Sequence, residues 1–595
     1  MLKIFSLPNI NIMPKIEVNE KTFYALCGRR WDTKEEFVEA LTCAKAELDS
    51  EFWPPESGKE PSAERTLKIE LNDTNRPDLW GTAGCARQLR IYNGGKIPDY
   101  DFFSMPGAVK TASKKILVEE STKKVRPYIA GFIASGKIVT DPMLRDIIQT
   151  QEKLAWNFGR KRRTISMGIY RIAKITWPVT YKAVDPNVIS FVPLQWESPL
   201  TLTEILKQHP KGKEYASILE NESLHPLLVD SKNKILSYPP IINSADLGAV
   251  ETGDSDLFIE LTGTDIVSTV LSASIVACEM ADNGFAIEPV EIQSEFDTPF
   301  GRKFVTPYYF QKPVFCSLRR IEKILGKKLN GDECISALEK MGVKAEKTAG
   351  TEQGDTISGE GVLARPPEYR NDFLHAADVA EDIMIGHGLY SFKPERPGDF
   401  TIGRLLPLTQ FSRQIKELMT GLGYQEMIYN YLGSRKDMVE KMRGKGDRII
   451  RIANPMTENY EYVRDSILVT LMESESVSGH SVFPHRIFEI GKIAFIDKED
   501  NYGSITRHYL GFLLSDRDAN FNIIAAQIQT LFYYIKREYT VTVSEDPRFI
   551  PGRAASVIYK GKTAGVYGEV HPEVLENWGV TMPCIAAEID IEALI

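Results

Sequence analysis

The chain has 595 residues, of which 43% are hydrophobic, 10% aromatic and 26% charged, an ordinary globular mixture that excludes disordered, collagen-like and disulfide-scaffold classes. Lys and Arg total 72 against 81 Asp and Glu, a net charge of -9, so any contact with RNA must come from local patches or a partner chain. No apolar run approaches the ~20 residues that span a bilayer, and at roughly 150 residues per domain the length suggests about four domains.

Residues 1–12 lack the basic start, long apolar centre and cleavage site of a leader, and read as a short extension before Met13, a candidate true start. Cys27, Cys43, Cys85, Cys278, Cys316, Cys334 and Cys584 are scattered singly with no CxxC pair. That spacing argues against structural zinc or a disulfide framework, and for a reducing cytoplasm. Pro and polar stretches near 52–62, 113–126, 295–307 and 392–398 divide the chain into a head, a long second region, a third of about a hundred residues and a tail near two hundred.

The head carries a glycine signature, Leu26-Cys-Gly-Arg-Arg-Trp31, before a helix predicted over 34–46. The third region repeats it as Leu325-Gly-Lys-Lys-Leu329 before a helix over 332–341. Some 46 to 50 residues after each glycine comes a second signature, Asn75-Arg-Pro-Asp-Leu-Trp80 or Arg370-Asn-Asp-Phe-Leu374, opening another helix. Order and spacing therefore predict one supersecondary unit used twice.

The second region starts strand-like over 128–139 and continues into a helix on which Leu144, Ile147, Ile148, Leu154, Ala155 and Phe158 recur at the helical period. The remainder of that region reads as short strands and loops. The helix ends in Gly159-Arg160-Lys161-Arg162-Arg163, with Lys123, Lys124 and Arg126 earlier. Cations suit a helix C-terminus, and four in a row suit an RNA phosphate contact; both readings stay open. Three apolar segments, 226–230, 236–243 and 257–263, end in polar residues, as the walls of a pocket do or as plain core strands do.

In the third region Asp378, Glu381 and Asp382 stand at i, i+3 and i+4 of a predicted helix, with Asp372 just before it. Clustered carboxylates suit a hard cation such as Mg²⁺, or simply the positive end of the helix dipole. The matching helix positions of the head are Gly84, Arg87 and Gln88, so the repeated unit does not itself need the acids. In the tail, Phe411, Ile415, Leu418, Met419 and Leu422 line a helix ending at Gly423. Strands are expected over 425–432, 486–497, 508–514, 555–559 and 564–570, giving helices packed on a mainly antiparallel sheet. GxxxxGK[ST], HExxH and GxSxG are absent, and the histidines form no close ligand pair.

Further phrases fall in a specific order: Asn72-Asp-Thr-Asn-Arg-Pro-Asp-Leu-Trp80, Phe158-Gly-Arg-Lys-Arg-Arg163, Tyr238-Pro-Pro-Ile-Ile-Asn-Ser244, Ala453-Asn-Pro455, Arg486-Ile-Phe-Glu-Ile-Gly491, Pro551-Gly-Arg553, and Gly568-Glu-Val-His-Pro572 running on to Trp578. Together they resemble the beta subunit of phenylalanyl-tRNA synthetase in its archaeal and eukaryotic-cytosolic form, from Met13 nearly to the C-terminus.

The resemblance implies an α+β multidomain chain. Residues 1–115 would form a small N-terminal domain and 116–293 an α/β editing domain of the tRNA-binding B3/B4-like kind. Residues 294–396 would form a winged-helix-like domain with a Mg²⁺ site on Asp372, Asp378, Glu381 and Asp382. Residues 397–595 would form a class II synthetase-like module that has lost its chemistry, and no GxGxxR-like third motif is found there. It further implies a cytoplasmic complex of two alpha and two beta chains that joins phenylalanine to tRNA(Phe) using ATP, with the chemistry on the alpha chain.

Carried over residue by residue, the editing pocket comprises Leu228, Ser237, Glu260 and Thr262, with a positioned water as attacking group. Arg160, Lys161, Arg162 and Arg163 remain the RNA-contact candidates. One departure stands out: Glu260 replaces an Asp of the archaeal pattern and is one methylene longer. A different class of function, a stand-alone tRNA-binding or editing protein without a ligase partner, is the alternative.

Overall fold

The computed structural model describes residues 15–49, 65–71, 75–248, 250–351, 358–399 and 401–595. The extension anticipated over 1–12, Met13, and the first three residues of the 72–80 phrase lie outside them. The chain forms two compact units, Met1–Glu395 and Arg396–Ile595.

Within the first unit the predicted duplication is present in three dimensions. The head runs strand Lys15–Asn19, helices Glu20–Cys27 and Lys34–Leu41, strands Ala46–Leu48 and Thr66–Leu71, then helix Thr82–Tyr92. The second copy runs strand Val314–Ser317, helices Leu318–Leu325 and Gly331–Lys340, strands Lys344–Thr351 and Ser358–Arg365, then helix Ala376–His387. Each forms a three-stranded antiparallel sheet with the copy's third strand in the middle.

The local causes are shared as well. Each first helix stops at a glycine in the left-handed conformation, Gly28 (φ 70°) or Gly326 (φ 67°), which satisfies the last carbonyls at no Cβ cost. Each second helix starts from a side chain that accepts from its first-turn N–H groups, Thr33 or Asn330. The two copies also pack on one another: helix Thr82–Tyr92 lies against helix Gly331–Lys340, and the turn Thr42–Ala44 against helix Ala376–His387.

Between the copies in sequence stands a ten-stranded mixed sheet. Its order is Ile242–Asn243, Ile235–Tyr238, His225–Val229, Val179–Val184, Lys114–Val118, Ala286–Ser294, Tyr128–Ser135, Leu257–Gly263 and Ile165–Arg171, with Lys303–Thr306 beside Ala286–Ser294. The helix expected after the first strand is present as Asp141–Lys153, continued by a wider turn over Leu154–Phe158. Leu154 and Ala155 are buried, but Ile148 is 45% exposed, so the apolar face is narrower than its periodicity suggests.

The reading of short strands and loops is overturned at helices Leu202–Gln208 and Pro210–Tyr215 and at a third, longer one. Ile266–Asp282 is a seventeen-residue helix lying on strands Tyr128–Ser135 and Leu257–Gly263. It is buried on nearly every side, so it shows no amphipathic stripe from which a helical period could be read.

The second unit has a seven-stranded sheet ordered Gln425–Glu426, His485–Ile496, Ser504–Ser515, Cys584–Asp590, Lys562–Val570, Phe549–Tyr559 and Thr540–Val543. Its pairings are antiparallel except the first. Helices Pro407–Gly421 and Phe521–Tyr534 supply Ile415, Met419, Ile524 and Ile528 to a core with Phe488, Phe512 and Ile585, as the alternation of the strands directs. The strand expected over 425–432 forms only at Gln425–Glu426 and at Leu432–Gly433; between them Ile428 is 85% exposed. All seven cysteines are buried thiols. Among the described residues no helix is long and apolar enough to cross a membrane.

Candidate functional site

The anticipated pocket residues form two groups near opposite ends of the strand order, Leu228 and Ser237 on paired strands and Glu260 and Thr262 together on Leu257–Gly263. Leu228 pairs with Ser237 and with Tyr181, and both Leu228 and Ser237 are buried. Glu260 stands opposite Gly168 on the strand Ile165–Arg171, and Thr262 opposite Ser166. A residue that sequence reasoning missed, Tyr170, joins the two groups: its hydroxyl donates to Glu260 Oε1 at 2.9 Å and lies 3.5 Å from Asn243 Oδ1. Ser237 stands beside the same phenol. Gly168 permits this meeting, because a Cβ there would fall 2.2 Å from Tyr170 Oη and 2.5 Å from Glu260 Oε1. That glycine inside a strand was the signal of a close approach.

Among the described residues Glu260 Oε2 is a buried acceptor that makes no hydrogen bond, and the polar neighbour of Ser237 Oγ is the Tyr170 phenol. A buried acceptor without a partner costs about 1–3 kcal/mol, a cost that a bound donor would remove. Burial pushes the Glu260 carboxyl up to about 7, against the opposing effects of the Tyr170 hydrogen bond and the Arg126 charge. Near neutral pH it exchanges between carboxylate and acid. The Thr262 hydroxyl accepts from Arg126 Nε at 3.0 Å and lies 2.9 Å from the Ser166 hydroxyl.

The basic run forms a loop in which Arg160, Lys161 and Arg162 have φ of 49°, 56° and 65°. Three consecutive non-glycine residues in the left-handed region cost on the order of 1–2 kcal/mol each and persist only when their surroundings over-determine them. Arg160, Lys161 and Arg163 are exposed and remain available to an RNA backbone. Arg162 is not a free cation: its Nη1 donates to the carbonyls of Pro240 (3.1 Å) and Ile241 (3.0 Å), and its guanidinium covers the Tyr215 ring. Arg126, grouped with the exposed Lys123 and Lys124 on sequence, is buried.

The four acids expected to share Mg²⁺ do not converge. Arg370, itself buried, donates to both oxygens of Asp372 and both of Asp382. Asp378 Oδ2 accepts from the backbone N–H groups of Leu374 (2.7 Å) and His375 (2.6 Å), capping the helix. Glu381 turns outward to Lys45 Nζ at 2.7 Å. Burial raises Asp372, but Arg370 outweighs it and holds the carboxyl at about 2. Among the described residues no group of three or more His, Cys, Asp or Glu is placed to hold a metal. These donors are committed elsewhere and, as arranged, do not fit a resident Mg²⁺.

The head explains why. Arg76 donates to both oxygens of Asp78 at 2.8 Å and to Gln88 Oε1 at 3.2 Å. The fork of Arg370, Asp372 and Asp382 is the same device in the second copy, with Asp382 in the place of Gln88.

In the second unit the inward carboxylates of the sheet are also neutralised from within. Arg464, fully buried, meets Glu489 through two hydrogen bonds of 2.7 Å. Arg548 Nη1 meets Glu588 Oε2 at 2.8 Å and Ser466 Oγ at 2.7 Å. Glu588 Oε1 in turn accepts from Ser466 Oγ (2.8 Å) and the Ile467 N–H (2.6 Å). Guanidiniums committed in this way are not available to clamp a triphosphate.

Family models place the chain among the aminoacyl-tRNA synthetases. Residues 314–389 match the tRNA synthetase B5 domain, and 394–591 the phenylalanyl tRNA synthetase beta chain CLM domain. The chain is 42% identical to the phenylalanine–tRNA ligase beta subunit of Treponema pallidum and 44% identical to that of Borrelia hermsii, in each case over 98% of this chain and all of the relative. It therefore belongs to the phenylalanine–tRNA ligase beta-subunit family. It is also similar to the crystal structure of an N-terminal fragment of the phenylalanyl-tRNA synthetase beta subunit from Pyrococcus horikoshii. That match has a TM-score of 0.55 and 34% identity, and covers 63% of this chain and all of the fragment. Full-length correspondence to ligase subunits does not favour the stand-alone alternative.

Proposed function

We propose that the chain is the non-catalytic beta subunit of a phenylalanine–tRNA ligase, acting with an alpha subunit in a complex of two alpha and two beta chains. That complex joins phenylalanine to tRNA(Phe) at the expense of ATP, with the adenylate and transfer chemistry on the alpha chain. We read the chain as the type shared by archaeal and eukaryotic cytosolic enzymes, for which the likeness to the Pyrococcus fragment is the support; the ligase relatives named above are bacterial. Residues 1–115, 116–293, 294–396 and 397–595 are its working divisions. Arg160, Lys161 and Arg163 are candidates for backbone phosphates of the tRNA, while a resident Mg²⁺ on the 372–382 acids has no support in their arrangement.

Hydrolytic editing of Tyr-tRNA(Phe) belongs to the same reading, and one observation carries it: the buried Glu260 with Oε2 unpaired beside Tyr170 and Ser237. An apolar synthetic pocket rejects an added hydroxyl only about a hundredfold, whereas a second site that hydrogen-bonds the hydroxyl excludes phenylalanine by leaving its own polar groups unpaired. Glu260 Oε2 is the proposed acceptor of the tyrosine hydroxyl, a reading its lack of a partner supports. Tyr170 holds the other oxygen, which compensates for the longer side chain by fixing where the carboxylate points. Leu228 packs near Ser237, and no side chain is an activated nucleophile, so a positioned water attacks the ester.

Glu260→Ala should leave phenylalanine charging intact and let Tyr-tRNA(Phe) accumulate in the assembled complex. Because the ionised carboxylate is the stronger acceptor for the phenolic hydrogen, deacylation should rise as pH increases through about 7, and Glu260→Gln should remove that step. Equal deacylation of Tyr-tRNA(Phe) by parent and Glu260→Ala complexes would remove the pocket from this site.

A further inference from the structure

Among the described residues Arg126, a buried cation, has no acidic partner in hydrogen-bond contact, an expensive state unless every donor is used. All five are. Nε meets Thr262 Oγ1 (3.0 Å); Nη1 meets the carbonyls of Arg162 (3.2 Å) and Arg163 (3.1 Å); Nη2 meets Ser166 Oγ (3.2 Å) and the Thr262 carbonyl (2.7 Å). Its own carbonyl accepts from the Tyr181 hydroxyl at 2.8 Å. The carbonyls it holds belong to the left-handed loop, and from that loop Arg162 reaches the carbonyls of Pro240 and Ile241. Those two residues form the turn between Ser237 and Asn243, the polar groups that face Tyr170 together with Glu260.

We propose that Arg126 and Arg162 are positioning residues that tie the pocket strand at Thr262 to the Ser237–Asn243 turn, so that the basic loop is the frame of the editing pocket as well as its RNA-facing edge. The inference rests on the editing reading and divides the three arginines of the loop by task. Arg162 points inward and sets geometry. Arg160 and Arg163 point outward and supply affinity for the tRNA backbone, Arg163 with one hydrogen bond to Ser217 Oγ at 3.3 Å. Loss of an inner residue should then slow hydrolysis without weakening tRNA binding, and loss of the outer pair should do the reverse.

The test is steady-state deacylation of Tyr-tRNA(Phe) by the alpha/beta complex, with phenylalanine charging measured on the same preparations. Arg126→Gln should lower kcat for deacylation about tenfold or more, with KM within about twofold and charging unchanged; Arg126→Lys, with one ammonium for five acceptors, should recover only part of kcat. Arg162→Gln should show the same kcat loss, and it carries the test if Arg126→Gln does not assemble. The Arg160→Ala/Arg163→Ala double variant should raise KM with kcat held. The inference is overturned if Arg162→Gln changes KM alone, as the outer pair does. It is also overturned if both inner variants deacylate like the parent while Glu260→Ala does not, an outcome that leaves the pocket reading standing. Parent-like deacylation by Glu260→Ala as well would remove both.

Discussion

Replacing Arg370 with Met should destabilise the first unit by about 3–5 kcal/mol, the cost of leaving buried carboxylates without their countercharge. The guanidinium bridges Asp372 and Asp382, and all three side chains are almost wholly buried. Methionine fills much of the space but supplies no donor, so both carboxylates would have to take up protons or find a cation. In the parent, the Asp372 contribution is fully present above pH ~4, the unfolded value, and is lost as pH falls through about 2, since its folded value is the depressed one.

The same variant tests the fit of Mg²⁺. With Arg370 present, millimolar Mg²⁺ should leave the unfolding midpoint where it is, because the oxygen ligands are already engaged. With methionine there, two freed carboxylates beside the helix cap become a cation site, and Mg²⁺ should raise the variant's midpoint by ligand linkage. Thermal unfolding of both complexes with and without Mg²⁺ measures the difference. A parent midpoint that rises as much as the variant's would mean that an ion shares the cluster with Arg370.

The fate of those acids shows what could be read from the sequence. The duplication was legible because its signals are local: a glycine that ends a helix, a cap that starts the next, and an Arg-x-Asp phrase at similar spacing. The phrase itself was the better guide to Asp372 and Asp382. Arg76 and Arg370 stand two residues before their aspartates in both copies, and the structure uses both as forks. A reading from the acids alone counted like charges and looked for a metal, when the countercharge lay two residues upstream. Asp378, by contrast, serves the helix start in the bland manner its position allows.

The tail was legible because its signals too are local: four of the five expected strands are found as His485–Ile496, Ser504–Ser515, Phe549–Tyr559 and Lys562–Val570. The helix Ile266–Asp282 was missed because burial all round erases the periodicity that marks a helix. Tyr170 and Arg126 were missed, or taken for something else, because what defines them is distant. Tyr170 meets Glu260 ninety residues on, and Arg126 meets Thr262 at a separation of 136. No spacing rule reaches so far, and a buried arginine without an acid looks in sequence like one more surface cation.

The largest effect expected is on aminoacylation itself. In the second unit two arginines outside the strands turn onto carboxylates of the sheet, Arg464 on Glu489 and Arg548 on Glu588, and no GxGxxR-like third motif is found in the sequence there. On the proposed reading, the chemistry is supplied by the partner chain. Charging of tRNA(Phe) with phenylalanine and ATP, measured on the purified chain before and after addition of an alpha subunit carrying intact class II motifs, tests this most directly. The account predicts charging indistinguishable from background by the chain alone and restored by the alpha subunit, with a gain within the range of about 10⁶-fold or more that separates enzymes from uncatalysed reactions. Robust phenylalanylation by the purified chain alone, or no charging once the two subunits are combined, would contradict it.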